Sequence, residues 1–456
     1  MYILIAYLVW GVIGKSNASF SAGFWRYYQI GNVLFSSILI VFIIASMRMG
    51  INPHRPARSV SHVLVVLGVF LAWGTVCCAA QEVFFANFVC FAIYATMILA
   101  LFVVPYVFID GSSLKRFLDI ITVFVCLGTL SSLVVGLIGL PDVWPQDRLA
   151  GIYECPITCT NMSVIGLMLL LVYAVRPVGN RLLRTVVVGM IVVSVWVVIL
   201  TRTRGGYVCL LLAPTCFAVH HLHQRRKDLA PAALKVLFGG AVLVGGVLLA
   251  LSMRPELVGD IRRYARVDIP IEEVVQARTN WWNPERHLRL GNVFGKGFLA
   301  TYDWRGPSDS ESGYDRDRNP HNTFITCALC YGVPGLSIFA AFMLCLLYLF
   351  WARSGVLAAL GFTVLVYSIA RSMGSNHLLG FGLPMDRFSW LLMGISLHFA
   401  GIPRTSRQVC TRHARWLRQQ VSPGIARTEG NSIADHCGNR ALRVTTSPRI
   451  EKAHEK

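Results

Sequence analysis

Charged side chains are scarce in this chain: 14% of its 456 residues are Asp, Glu, Lys or Arg, whereas 55% are hydrophobic. A water-soluble protein of this length has more charge on its surface, so the composition argues against a soluble globular enzyme. The hydrophobic residues occur in long blocks separated by short polar segments. This arrangement is typical of a polytopic membrane protein.

About twelve of these blocks approach or reach the length that a membrane-spanning helix requires. They lie at about 1–14, 31–47, 60–80, 87–109, 117–140, 161–175, 183–200, 205–221, 235–252, 323–352, 355–370 and 383–401. The predicted fold class is therefore all-α: a polytopic integral membrane protein with about 12 transmembrane helices and one large periplasmic loop. The first block has neither a basic segment nor a small-residue cleavage site, which argues against a signal peptide.

Ionisable side chains are nearly absent from the interior of the predicted spans. Besides histidines, only Asp119 is assigned to such a position, near the inner end of its span, and Arg387 is counted on the outer side of the last span. Ion-coupled transporters usually place ionisable groups near the middle of the membrane. Their absence here argues against ion-coupled transport.

Lysine and arginine are distributed unevenly between the two sides of the membrane. With the N-terminus in the cytoplasm, the short inner loops hold thirteen basic residues and the short outer loops hold seven, so the positive-inside rule supports this orientation. The seven outer residues are Lys15, Arg26, Arg148, Arg202, Arg204, Arg371 and Arg387. Topology and a basic tail explain the net charge of +19, and no nucleic-acid partner is required.

Two segments are too polar to lie within a membrane. Residues 253–322 hold eleven basic and eleven acidic residues. They are predicted to form a solvated periplasmic domain between helices 1 to 9 (residues 1–252) and helices 10 to 12 (residues 323–401). Residues 402–456, with eleven basic and four acidic residues, are predicted to be a disordered cytoplasmic tail with weak attraction to anionic lipid.

The thirteen cysteines do not predict a metal centre. Most lie in apolar runs, where cysteine behaves as a small hydrophobic residue. Cys155 and Cys159 fall on the outer side, where oxidation is possible. Whether these two form a disulfide stays open at this point.

Several polar residues gather at the outer boundary of the predicted membrane region: Arg148, Arg202, Arg204, Arg278, His321 and Asn322. Arg202 and Arg204, in "TRTRGG", lie next to the N-terminus of the eighth predicted helix. The exposed amides and the dipole of a helix N-terminus favour a bound anion. Two arginines at this positive end would make a phosphate site, although snorkelling arginines at a helix end produce the same pattern.

The start of the tenth predicted helix carries the second candidate feature. Pro320 ends the preceding loop, and Asn322 or Thr323 can cap the helix, which leaves His321 at the membrane boundary. A nearby helix N-terminus disfavours the imidazolium, so we expect a neutral histidine that can accept a proton. The alternative is an ordinary interfacial histidine beside a helix cap.

The glycine-rich segment "NVFGKGF" (292–298) has no Ser or Thr after its lysine and no parallel-sheet context, so it does not fit a phosphate-binding loop. We expect a turn that depends on its glycines.

Four stretches of sequence together resemble the O-antigen ligase family, which includes O-antigen polymerases and related oligosaccharyltransferases. They are "RLAGIYECPITCTN" (148–161), "TRTRGGYVCLLLA" (201–213), "ARTNWWNPERHLRLGNVFGKGF" (277–298) and "HNTFITCALCYGVPGL" (321–336). The last stretch is the most specific, because a His-Asn pair leading into a helix with a Gly-x-x-Gly-Leu ending is typical of the family. The chain departs from the family at "ECPITCTN", where relatives more often have an Asn-Pro-Asn turn.

This resemblance implies a metal-independent glycosyltransferase of the bacterial inner membrane, without a cofactor, that acts at the periplasmic face. The donor would be a glycan on undecaprenyl diphosphate, and the acceptor a sugar hydroxyl such as one on lipid A-core. Arg204 and Arg278 match the arginines that hold the diphosphate, and His321 matches the histidine that acts on the acceptor. The loop at 253–322 would cover the site. The further candidates for substrate binding are Arg148, Arg202 and Asn322.

Two other functions are compatible with the sequence. A polymerase that joins repeat units on the lipid carrier would use the same donor and the same motifs. A transporter of lipid-linked glycans would explain the helices, but it would give no reason for His321 beside arginines that attract an anion.

Overall fold

The computed structural model describes residues 2–13, separate helical positions between 31 and 45, and residues 58–81, 84–109, 113–140, 143–145, 148–153, 155–175, 180–224, 293–298, 322–375, 377–379 and 384–400. Within these ranges the protein is helical and contains no β-strand. The predicted all-α class is therefore confirmed for this part of the chain. The ninth predicted helix, most of the loop at 253–322 and the tail at 402–456 lie outside the described residues.

Ten helices have bounds within the described ranges. They are α1 (Tyr2–Ile13), α2 (Arg58–Ala79), α3 (Phe84–Phe108), α4 (Ser113–Ile138), α5 (Pro156–Ala174), α6 (Arg181–Leu200), α7 (Arg204–Gln224), α8 (Thr323–Ala352), α9 (Val356–Ser372) and α10 (Pro384–Phe399).

Six of these helices, namely α2 and α4 to α8, are long and apolar enough to cross a membrane. Shorter apolar stretches occur in α1, α3 and α9. The structure therefore supports a membrane-embedded helical protein. The total of twelve spans and the periplasmic position of the loop stay predictions.

Helix α5 lies at the centre of the bundle, and α6 lies at its periphery. In the most apolar stretch of α5, 78% of the residues are buried within the protein, whereas for α6 this share is 22%. The exposed side chains of α6 are large and apolar, as with Val186, Val192 and Trp196. In a membrane they contact lipid tails, which are as apolar as they are.

Helix α8 is interrupted near its start. Gly332 has non-helical backbone angles, φ 68° and ψ −178°, and Pro334 lacks the amide hydrogen that would continue the helical ladder. The interruption leaves the carbonyl groups of Leu329, Cys330 and Tyr331 available to partners outside the helix.

Residues 293–298 supply two of those partners. The amides of Lys296 and Gly297 donate to the first two carbonyl oxygens at 2.7 and 3.1 Å, and Trp73 Nε1 donates to the third at 2.8 Å. Gly295 and Gly297 have φ angles of 67° and 82°, in the region that favours glycine. The predicted glycine-dependent turn is confirmed, and it attaches residues 293–298 of the long loop to α8.

Helix α10 contains two buried ionisable residues. Asp386 and Arg387 are both 0% exposed. The guanidinium of Arg387 lies 4.4 Å from the centre of the Tyr7 ring and donates to the Tyr7 carbonyl at 2.8 Å. The placement of Arg387 on an outer loop is therefore wrong, as is the expectation that Asp119 is the only ionisable residue besides histidine inside a predicted span. The partner comes from α1, about 380 residues away in sequence, so no local pattern indicates it.

Candidate functional site

The ends of α5, α6, α7, α8 and α9 meet at one end of the bundle, and all described candidate residues lie there. We call this region the arginine end. It contains Arg148, Arg202, Arg204 and Arg371, together with Asn322 at the start of α8.

Three buried threonine hydroxyls fix the turn between α6 and α7. Thr160 Oγ1 lies 2.6 Å from Thr201 Oγ1 and 2.8 Å from Thr203 Oγ1, and the latter two are 3.2 Å apart. Arg202 stands between them with a φ of 48°, which is uncommon for a residue other than glycine. Because α5 supplies Thr160, the central helix of the bundle holds the turn that carries Arg202 and Arg204.

The two glycines that follow this turn make room for close neighbours. A Cβ at Gly206 would lie 2.6 Å from Thr160 Cγ2, so its absence lets α7 approach the threonine cluster. A Cβ at Gly205 would lie 2.5 Å from Nη1 of Arg371. Each glycine of "TRTRGG" therefore admits a different neighbour: Gly206 admits Thr160 from α5, and Gly205 admits the guanidinium of Arg371 from α9.

Arg148 lies beside the same turn. Its Nε donates to the Thr201 carbonyl at 3.3 Å, and the amide of Leu149 donates to the Leu200 carbonyl at 3.1 Å. The side chain is partly buried. The structure thus brings Arg148 together with Arg202 and Arg204, as the sequence predicts for residues at one membrane boundary.

Asn322 caps α8. Its Oδ1 accepts from the amides of Phe324 and Ile325 at 2.9 and 3.2 Å, and its Nδ2 donates to the Met373 carbonyl at 3.4 Å. Thr323 Oγ1 donates to the Ser375 carbonyl at 3.1 Å. The predicted cap is confirmed, and the side-chain amide is engaged in contacts within the protein. These bonds attach the start of α8 to the turn that follows Arg371.

A buried polar network holds that turn in place. His377 Nδ1 lies 2.8 Å from Asp386 Oδ1, although the two atoms are not aligned as a hydrogen bond. His377 Nε2 lies 3.3 Å from Ser368 Oγ and 3.2 Å from Ser389 Oγ, and Asp386 accepts from the Leu378 amide at 3.0 Å. The order Ser, His, Asp is that of a hydrolytic triad. The side chains of His377, Asp386, Ser368 and Ser389 are all 0% exposed, so the network is closed to solvent.

Two residues with proposed catalytic roles, His321 and Arg278, lie outside the described residues. His321 directly precedes the cap residue Asn322 in the chain. One peptide bond therefore joins it to the start of α8 at the arginine end.

From the sequence, Arg371 is predicted only as a basic residue on the outer side, and the His377–Asp386 pair is not predicted at all. Arg371 lies at a predicted helix end on the same side of the membrane as Arg204. That shared side is only a weak indication that the two residues belong to one site. The contact with Gly205 depends on how α7 and α9 pack, and no sequence pattern reports that packing.

The described residues contain no group of three or more His, Cys, Asp or Glu side chains that could hold a metal ion. Cys327 and Cys330 in α8 have the Cys-x-x-Cys spacing found in metal and redox sites, but both are buried and neither forms a disulfide. Cys155 and Cys159 do not form a disulfide either.

The chain matches no protein-family model and no curated protein. The resemblance to O-antigen ligases therefore depends on the four sequence stretches alone.

Proposed function

We propose that this protein is an O-antigen ligase-type glycosyltransferase. It moves a glycan from undecaprenyl diphosphate to an acceptor sugar hydroxyl, on lipid A-core or another glycan, at the periplasmic face of the bacterial inner membrane. The supporting observation is the position of Arg148, Arg202 and Arg204 around one turn, at the end of the bundle where α8 begins. Because Asn322, the cap residue of α8, directly follows His321 in the chain, the arginines and the proposed base belong to the same end of the bundle.

The arginines supply the electrostatic part of the mechanism. A diphosphate is a good leaving group when its developing negative charge is neutralised, and guanidinium groups can do this in place of a divalent metal. Arg204 and Arg278 hold the diphosphate, while Arg148 and Arg202 assist its binding. Each charge-assisted hydrogen bond contributes roughly 1.5 to 3 kcal/mol.

His321 supplies the base. The neutral imidazole accepts the proton of the acceptor hydroxyl as the oxygen forms a bond to the anomeric carbon. The bond from that carbon to the diphosphate oxygen breaks, and undecaprenyl diphosphate leaves. A single displacement of this kind inverts the anomeric configuration, and general-base assistance contributes about 10² to 10⁴ in rate. Asn322 caps α8 and keeps the chain beside His321 in place.

A transporter of lipid-linked glycans is the second candidate. The buried Asp386, His377 and Arg387 favour it, because ionisable groups inside a membrane protein often mark a transport pathway. The sequence argument against transport depended on the absence of such groups, and the structure removes that argument. A polymerase with the same lipid-linked donor is the closest variant of the leading proposal.

The deciding experiment is in vitro transfer by the purified protein in lipid nanodiscs, with a defined undecaprenyl diphosphate-linked glycan and candidate acceptors. A glycosylated acceptor is expected, and turnover should survive EDTA. Movement of the donor across proteoliposomes without transfer would indicate the transporter. In a deletion strain, polymer that accumulates on its carrier indicates a ligase, whereas lipid A-core that carries single repeats indicates a polymerase.

His321→Ala and Arg278→Ala are each expected to lower turnover by at least about 100-fold, because each removes a group that acts on the reacting atoms. The unfolding temperature should stay that of the wild type. His62→Ala is the matched control, since His62 is exposed on α2. Normal turnover by His321→Ala would remove the base assignment.

A further inference from the structure

Arg371 reaches from the end of α9 to the start of α7. Its Nη1 would lie 2.5 Å, and its Cζ 3.8 Å, from a Cβ at Gly205. A residue with any side chain at position 205 would displace the guanidinium. The first turn of α7 is therefore shaped to accept the side chain of Arg371.

The C-terminus of α9, the helix to which Arg371 belongs, does not explain where the guanidinium of Arg371 lies. A cation is favourable at a helix C-terminus, where it can bond the last carbonyl groups. Here those carbonyls already have partners: Ala370 O accepts from the Met373 amide at 3.3 Å, and Arg371 O accepts from the Gly374 amide at 3.0 Å and from Ser375 Oγ at 2.9 Å. The guanidinium instead lies against the positive end of another helix.

That placement is electrostatically unfavourable unless an anion is present. Arg204 is the first residue of α7, and the amides of the first turn of a helix carry positive partial charge. The Nε of Arg371 is buried and has no hydrogen-bond partner among the described residues, although the side chain as a whole is only partly buried. A bound anion would pair this donor and offset the repulsion between the guanidinium of Arg371 and the positive end of α7.

We propose that Arg371 is an anion-binding residue that holds a phosphate or diphosphate group together with Arg204, and that Gly205 is required to admit its guanidinium. The identification of that group as the diphosphate of the lipid-linked donor depends on the proposed function. Arg371 then adds a third guanidinium to the pair, Arg204 and Arg278, already assigned to the leaving group.

Binding tests the proposal without any need for turnover. The purified full-length protein in nanodiscs is titrated with inorganic pyrophosphate, and separately with undecaprenyl diphosphate supplied in the same lipid. Arg371→Gln is expected to raise both dissociation constants by about 10- to 100-fold, the loss of one charge-assisted contact. If only the undecaprenyl diphosphate constant rises, Arg371 binds the lipid-linked form and the proposal still holds.

Conservative and neighbouring variants separate binding from folding. Arg371→Lys keeps the charge but not the two-pronged geometry, so it should restore part of the affinity. Gly205→Ala should raise the same dissociation constants as Arg371→Gln, because the new Cβ would displace the guanidinium of Arg371. Arg184→Gln, which removes an exposed arginine from the far end of α6, should bind like the wild type. Dissociation constants are compared only among variants whose unfolding temperature equals that of the wild type.

The transfer assay distinguishes this inference from the proposed function. In a wild-type protein that transfers glycan, Arg371→Gln should raise the KM for the donor more than it lowers kcat, and a wild-type KM with wild-type affinity would overturn the role of Arg371 alone. If the wild type binds either diphosphate in a manner that depends on Arg371 but transfers no glycan, the proposed glycosyltransferase activity is overturned and the anion site is retained. Absence of binding by the wild type to both probes would overturn the anion site itself.

Discussion

At the residue scale, glycine and threonine decide the geometry of the arginine end and of the loop attachment. Gly205 and Gly206 let a guanidinium and two threonines approach α7, while Gly295 and Gly297 provide left-handed turns. The four positions have two kinds of cause: Gly205 and Gly206 leave space where a Cβ would lie, and Gly295 and Gly297 adopt backbone angles that favour glycine.

Gly295→Ala tests the attachment of the loop to α8. Its φ is 67°, and a new Cβ would lie 2.5 Å from the carbonyl carbon and oxygen of Cys330, which are backbone atoms that cannot move aside easily. We expect a loss of about 1 to 3 kcal/mol in the free energy of unfolding, measured by denaturant titration in detergent micelles. Gly189→Ala is the control, because nothing lies within 4 Å of its Cβ position and alanine favours the helix.

Thr160→Val tests the threonine cluster. Valine has nearly the same shape but lacks the hydroxyl that contacts both Thr201 and Thr203. We expect a loss of about 1 to 2 kcal/mol in the free energy of unfolding, because two buried hydroxyls lose a partner. Thr215→Val, on the exposed face of α7, removes only a bond to its own helix and should change stability little. Equal effects of the two variants would contradict the role given to the cluster.

At the scale of elements, breaks and turns between helices carry the functional geometry. The interruption of α8 at Gly332 exposes carbonyls that receive residues 293–298, and the turn after α9 receives the cap of α8. The His377–Asp386 pair joins that turn to α10. The start of α8 is thus held from two sides by groups that do not belong to it.

Asp386→Ala tests the network behind the turn. Removal of one member of a buried ionisable pair typically costs about 3 to 5 kcal/mol, since the other member is left unpaired in the protein interior. We expect a loss of this order in the free energy of unfolding, with a smaller loss for Asp386→Asn, which keeps an acceptor for the Leu378 amide. Asp119→Ala is the comparison, because Asp119 is only partly buried and accepts from Tyr173. A milder effect at Asp386 than at Asp119 would contradict this account.

At the scale of the whole molecule, α5, α7 and α8 begin at the arginine end, while α6 and α9 end there, so the candidate residues share one end of the bundle. The other end holds a separate set of contacts, such as His220 with the Phe350 carbonyl and Gln224 with Gly355. The bundle presents large apolar side chains outward, as expected for contact with lipid. One end therefore carries the candidate arginines and the turns that hold them, and the other end carries a separate set of contacts between helices.

The orientation of this bundle can be tested with reporter fusions. Alkaline phosphatase, which is active only outside the cytoplasm, is fused after residue 140 or after residue 224. The positive-inside rule predicts activity for the first fusion, which precedes Arg148, and none for the second, which lies at the basic segment after α7. The reverse pattern would place the arginine end in the cytoplasm and would exclude a periplasmic site.

Sequence alone determined the helical class and most helix bounds of the described residues. The predicted span at 323–352 coincides with α8, and that at 183–200 nearly coincides with α6 (Arg181–Leu200). The cap at Asn322 and the glycine turn at 293–298 were also predictable. These features depend on hydrophobic length, capping side chains and backbone freedom, which are properties of residues close together in the chain.

Only the tertiary structure decided which polar groups meet. Tyr7 and Arg387 are 380 positions apart, Tyr367 and Asn161 are 206 apart, and Thr160 lies 41 positions before Thr201. Arg371 approaches Gly205 only because α7 and α9 pack side by side. The physical reason is that a buried polar group needs a partner within about 3 Å, and packing between helices, which no local pattern encodes, selects that partner.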